Sequence, residues 1–211
     1  MKKEELYNIV RISIAIASVV AILYLSKFGK TTLIDVFRGV SYGVTTTTAF
    51  WILYNNWLWK FMPFNKIINR PNLNGTWKGV LVSDWKNANG EGVAPKEIFI
   101  VIRQNFLNLH ITSFTDNFMG VSYVESLLID KERGIKKVIY IYKKETSDLG
   151  KQESNEGTCE LRIIQNDKRL EGKYWTNIKT NGVLKLEKLL DSHIETYSEG
   201  VNALGDNLKP G

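Results

Sequence analysis

The chain of 211 residues has one cysteine, Cys159, and two histidines, His110 and His193. A single cysteine cannot close an internal disulfide, which fits a reducing compartment. We read Cys159 as a small buried strand residue, because nothing near it in sequence would lower a thiol pKa. The histidines lie far apart and lack Cys or His partners at metal-ligand spacing, so no metal site is expected. Glycine-rich phosphate loops of the P-loop or dinucleotide type are missing. Isolated carboxylates such as Glu125 offer no paired acid–base chemistry. The segment "GVSYG", residues 39–43, matches the nucleophile-elbow pattern, but it sits in an apolar helical stretch without a strand before it or a positioned His. These absences argue against an enzyme, and neither a catalytic residue nor a cofactor is expected.

The folded part also lacks a strong charge surplus. Residues 1–70 hold nine Lys/Arg against three acids, residues 71–189 eighteen against fifteen, and the tail from Leu190 one against four. The net +6 therefore comes mostly from the first 70 residues. A general DNA or RNA binder would gather that charge on its folded domain.

Two apolar segments fill those first residues. The stretch from Leu6 to Ser26 meets the length of about 20 apolar residues that a membrane span needs, with Arg11 near enough to one end to reach the headgroups. No small-residue cleavage site comes after it, which favours an anchor over a signal peptide. The second stretch, Gly39 to Trp59, is uncharged and crowds Phe50, Trp51, Tyr54, Trp57 and Trp59 toward its exit, as an interfacial belt does. A transmembrane helical hairpin over 1–60 is expected, with helices near 6–26 and 39–59 and a linker at 61–71. Six basic residues flank the termini side and three lie in the connection, an asymmetry that favours a cytoplasmic position for the domain after the linker. Small residues recur every fourth position, at Ser13, Ala17 and Ala21 and again at Gly39, Gly43 and Thr47. Each set allows close helix approach, either within one hairpin or between chains.

From "NLNGTWKGVLVSDW", residues 72–85, the period changes to two. Strands read at 75–84, 96–104, 106–113, 118–130, 135–144, 157–166, 169–177 and 181–189, with turn residues between them. Eight consecutive strands without a helix favour an all-β, eight-stranded up-and-down, lipocalin-like barrel over 72–189, with an open sandwich as the alternative. A polar tail, 190–211, carries no assignable role.

The joins after strands one and five are long, so the long loops collect at one mouth, where binding loops on a rigid scaffold gather. Trp77 is expected to plug the other end. Strand one places Trp77, Gly79, Leu81 and Ser83 on one face; strand three gives Leu107, Leu109, Ile111 and Ser113; strand seven gives Leu170, Gly172, Tyr174 and Thr176. Each set runs from apolar to polar toward the mouth. Strands two and five are apolar on both faces, which leaves their register open. The candidate lumen and rim residues are Ser83, Arg103, Ser113, Tyr123, Tyr142, Lys144, Tyr174 and Thr176. Aromatic rings of this kind can stack on bases, and basic groups can pair with phosphates.

The order of parts, with "LNGTWKG" opening the barrel and "LEGKYWTN…TNGVLKLEK" closing it, resembles the membrane effectors of bacterial cyclic-oligonucleotide antiphage signalling (CBASS). The resemblance spans nearly the whole chain. It implies a receptor for a cyclic dinucleotide made by a partner nucleotidyltransferase, which forms a homo-oligomer on binding, disrupts the bacterial inner membrane and causes abortive infection. A membrane-tethered, lipocalin-like carrier of a lipid or other apolar small molecule is the alternative. A scaffold with a filled lumen and an outer protein-binding face is a third reading.

Overall fold

The computed structural model describes residues 3–27, 32–61, 64, 70–87, 89–130, 132–145 and 155–207. The expected linker 61–71 and the join after strand five lie largely outside these residues. The chain divides into two compact units, Met1–Arg70 with Asn105–Leu107, and Pro71–Gln104 with Asn108–Gly211.

The first unit holds α1 (Lys3–Leu25), α2 (Leu33–Asn56) and a 3-10 turn (Leu58–Lys60). At 1.5 Å per residue α1 is about 35 Å long, enough for a hydrocarbon layer of about 30 Å. Glu5–Leu25 is apolar enough to cross a membrane, with a mean hydropathy of 2.1. It is the one such helix among the described residues. The second segment differs from its expectation. Its helix starts at Leu33, six residues before Gly39, and so takes in Asp35 and Arg38. A capping box causes the early start: Thr32 Oγ1 accepts from Asp35 N at 3.3 Å, and Asp35 Oδ2 accepts from Thr32 N at 3.0 Å.

The small residues of α1 and α2 meet within this chain. A Cβ on Gly43 would lie 2.6 Å from the Ala17 carbonyl oxygen, and one on Gly39 would lie 3.4–3.6 Å from Tyr24, Leu25 and the Ala21 oxygen. Ser13 Oγ donates to Ile9 O and accepts from Trp51 Nε1, both at 2.8 Å. Thr47 Oγ1 donates back to Gly43 O at 2.8 Å, which satisfies its hydroxyl inside the helix. Only backbone-sized groups fit at Gly43. In the same unit Tyr54 and Phe106 pack edge to face with ring centroids 5.0 Å apart. The Arg70 guanidinium lies over Phe106 and pairs with Glu5 at 3.3 Å.

The second unit is a closed, antiparallel, up-and-down barrel in which each strand pairs with its sequence neighbours and β1 with β8. Its strands are β1 (Gly75–Ser83), β2 (Lys96–Gln104), β3 (Leu109–Phe114), β4 (Met119–Asp130), β5 (Ile135–Glu145), β6 (Glu156–Ile164), β7 (Arg169–Thr176) and β8 (Asn181–Leu190). Gly75 opens β1 at φ +126, where a Cβ would strike the Leu190 carbonyl, so the glycine before Trp77 is required by backbone shape. Trp77 is fully buried and donates from Nε1 to Leu73 O at 2.8 Å. Around it Ile100, Ile102, Leu161, Leu170 and Leu186 fill the lumen.

Strand three begins later than expected. The Leu107 amide donates to Asn105 Oδ1 at 3.0 Å, a turn that keeps residues 105–108 out of the ladder. Leu107, expected inside, is therefore exposed and belongs to the first unit. The apolar outer face of β2 is explained by the tail. Ile194 and helix α3 (Tyr197–Asn207) cover Phe99, Val101 and Phe114. The tail is pinned at Thr76, whose hydroxyl donates to Ser192 O at 2.7 Å. The Tyr197 ring meets Phe99 at 5.5 Å, and a Cβ on Gly200 would come within 2.7 Å of the Phe99 ring.

Candidate functional site

Below the mouth the barrel is packed solid; at the mouth it opens into a cavity of about 310 Å³. Strand parity decides what lines it. On β5, Val138, Tyr140 and Tyr142 point inward, and Lys144 continues their face while Lys143 is exposed. On β2 the inward set is Ile98, Ile100 and Ile102, so Lys96, two residues earlier, faces the same way and lines the cavity. From β1 come Leu81 and Ser83, and Trp85 continues their parity beyond the strand end. Tyr174 of β7, Phe118 between β3 and β4, and Ile178 and Thr180 between β7 and β8 complete the mouth, with Val93 and Ala94 opposite.

Small residues make room for the rings. A Cβ on Gly157 of β6 would lie 2.5 Å from the Tyr142 hydroxyl oxygen, and one on Gly182 of β8 would collide with the Tyr174 ring. Burial raises the pKa of Tyr142 and Tyr174, so both stay neutral phenols; Ser83 hydrogen-bonds Tyr174 and partly opposes that rise. Deeper, burial holds the Tyr140 pKa well above its usual value.

The cavity's electrostatics centre on Lys144. Its ammonium lies 4.4 Å from the centroid of the Phe118 ring, and no carboxylate pairs with it among the described residues. Burial, and secondarily the charge of Lys96, holds its pKa below the usual lysine value. Lys96 has only a loose pairing with Asp116 at 3.8 Å. Two ammonium groups at one mouth, one of them over an aromatic ring, can attract an anionic, ring-bearing molecule. Among the described residues no cluster of three His, Cys, Asp or Glu could hold a metal ion.

Four of the eight candidate residues meet in this cavity: Ser83, Tyr142, Lys144 and Tyr174. Two more are buried but engaged locally. Ser113 Oγ donates to Gly120 O at 3.3 Å, and Thr176 Oγ1 shares a 2.6 Å hydrogen bond with Thr180 Oγ1. Arg103 and Tyr123 lie outside the barrel, contrary to expectation. Arg103 follows the outward parity of Phe99 and Val101, opposite exposed His110. Tyr123 sits at a bulge between Ser122 and Val124 that turns two successive residues outward, where it meets Glu156. Glu125 also stays away from the cavity, accepting from Ser122 beside His110. Trp85, Lys96, Phe118, Ile178 and Thr180 were missed. Lys96 was legible in principle, because once Ile98 is assigned inward its neighbour two positions back must face the same way.

Cys159 is buried beneath the mouth, and burial pushes its pKa up to about 12. A thiol so raised should ignore a disulfide reagent at pH 8 in the folded chain and react fully in denaturant. On raising the pH the unfolded thiol ionises first, so barrel stability declines above about 9 toward about 12. Rapid labelling of the native chain would contradict this burial.

Comparison with known proteins gives a concordant result. Residues 68–188 match the family model described as Cap15, cyclic dinucleotide receptor domain. A CD-NTase-associated protein 15 from Staphylococcus schleiferi is 29% identical over 150 residues, covering 71% of this chain and 79% of that protein. A CD-NTase-associated protein 15 from Escherichia albertii is 24% identical over 189 residues, covering 84% of this chain and 92% of that one. With more than half its length inside the family match, which takes in seven strands of the barrel and most of the eighth, the chain belongs to the Cap15 cyclic dinucleotide receptor family, the CBASS effectors whose order of parts it resembles.

Proposed function

We propose that this protein is an antiphage membrane effector that binds a cyclic dinucleotide in the barrel mouth and responds by self-assembly and disruption of the inner membrane. It acts as a receptor and not as an enzyme. Lys144 is the observation that carries the reading. A cation set among rings, depressed by burial and by a second lysine, gains most from an anion, and a cyclic dinucleotide brings phosphates together with flat bases.

In this reading α1 and α2 form a membrane-spanning hairpin, with the barrel in the cytoplasm where a partner nucleotidyltransferase would make the ligand. The close α1–α2 contact at Gly43 and Ala17 holds the hairpin itself together. Assembly between chains therefore uses other helix faces. The carrier alternative calls for a hollow, apolar lumen open to the rim; the filled lumen below the mouth and the two lysines within it weigh against that.

The test is reconstitution of the whole chain in vesicles loaded with a self-quenched dye. Leakage should stay at background until a cyclic dinucleotide is added and then rise steeply with protein density. Leakage that ignores the nucleotide, or none from a chain that binds it, would contradict the effector role.

A further inference from the structure

Of the three tryptophans in the barrel unit, Trp77 is buried, Trp175 is exposed on the face of β7 opposite Tyr174, and Trp85 is exposed at the mouth. It is 46% exposed, lines the cavity, and has no ring partner among the described residues. A large apolar ring held half in water at a mouth is poorly placed for stability and well placed for a ligand.

The backbone that carries it is fixed on both sides. Before it, Asp84 N donates to Asn181 O at 2.8 Å, while the Asp84 carboxylate accepts from Asn181 N at 2.7 Å and from Asn181 Nδ2 at 3.1 Å. These bonds also hold the Asp84 carboxyl below its usual pKa. At Trp85 itself, the amide donates to Ser83 Oγ at 3.2 Å. After it, the arm folds back through the Lys86–Gly92 bridge. Asn87 Oδ1 accepts from Asn89 N and Glu91 N, each at 2.9 Å, and Asn87 Nδ2 donates to Glu91 at 2.8 Å. Because the backbone is already ordered, stacking on the ring costs only the freedom of the side chain itself.

We propose that Trp85 is the specificity-determining residue of the mouth, stacking one base of the ligand and favouring a purine over a pyrimidine. The inference rests on the receptor reading above and adds to it a division of labour. Lys144 and Lys96 attract phosphate whatever the base, while Trp85 rewards the larger π face. Stacking on an aromatic residue is worth enough that its removal costs roughly tenfold or more in affinity, and its modest base preferences track stacking strength.

The experiment uses the full chain in detergent, as wild type, Trp85→Ala and Trp85→Phe, titrated with cyclic di-AMP and cyclic di-UMP. Wild type should prefer the purine ligand severalfold and show tryptophan quenching that Trp85→Phe lacks. Trp85→Ala should bind cyclic di-AMP roughly tenfold more weakly, bring the purine-to-pyrimidine ratio toward one, and melt at the wild-type temperature. Trp85→Phe should retain most of the preference. A binding wild type whose affinity and base ratio are unchanged in Trp85→Ala overturns this inference and leaves the receptor reading standing. A folded wild type that binds neither ligand removes this inference, and one that also binds no other cyclic dinucleotide removes the receptor reading with it.

Discussion

Replacing Lys144 by alanine is expected to weaken cyclic dinucleotide binding by roughly ten- to a hundredfold, the size of one or two charge-assisted hydrogen bonds in a partly desolvated site. The barrel should stay folded. In the free protein the ammonium is disfavoured by burial and by Lys96, so Lys144→Met should melt no lower than wild type. A phosphate beside Lys144 would restore its proton affinity. Binding should then be strongest below the depressed free-state pKa, and should fade as pH rises through the higher bound-state value. Calorimetry in two buffers of different ionisation enthalpy at alkaline pH would show the proton uptake. Equal affinity in wild type and Lys144→Ala would remove this lysine from the site.

The largest effect on stability is expected at Trp77. It is fully buried and its indole N–H satisfies the Leu73 carbonyl. Truncating a core tryptophan to alanine costs about 3–5 kcal/mol. Domain stabilities are about 5–15 kcal/mol, so Trp77→Ala should remove a large share of the barrel's stability. Near-ultraviolet circular dichroism of the whole chain in urea would track the barrel through its buried aromatic residues. A midpoint within the scatter of wild type would mean that the ring is no part of the core.

The barrel was legible because period-two patterning recurs between turn residues, and seven of the eight strands begin within a residue of their expected starts. Strand three was misplaced because Asn105 forms a side-chain turn that alternation cannot reveal. Strand two hid its register for a physical reason. Both faces are buried, one by the lumen and one by α3, so hydrophobicity carried no sign of direction and Arg103 was turned the wrong way. The second helix began early because Thr32 and Asp35 cap it, a pattern easily read as part of a charged connection.

Four of the eight candidate residues, Ser83, Tyr142, Lys144 and Tyr174, share the mouth cavity. Ser83 and Tyr174 lie on strands whose inward face the sequence marks by its alternation, whereas Tyr142 and Lys144 lie on β5, whose direction is set only by its pairing in the barrel. Trp85, Phe118 and Ile178 lie on loops, and their approach to the mouth depends on hydrogen bonds such as Asp84–Asn181 that join residues 97 positions apart.

Isothermal titration of the purified full-length chain with a panel of cyclic dinucleotides, with Lys144→Ala in parallel, reaches the receptor claim most directly. Saturable one-site binding of at least one compound at micromolar or better affinity, weakened in the variant, is the expected result. A folded chain that takes up no member of the panel, and from which mass spectrometry recovers a bound lipid, would contradict it and support the carrier.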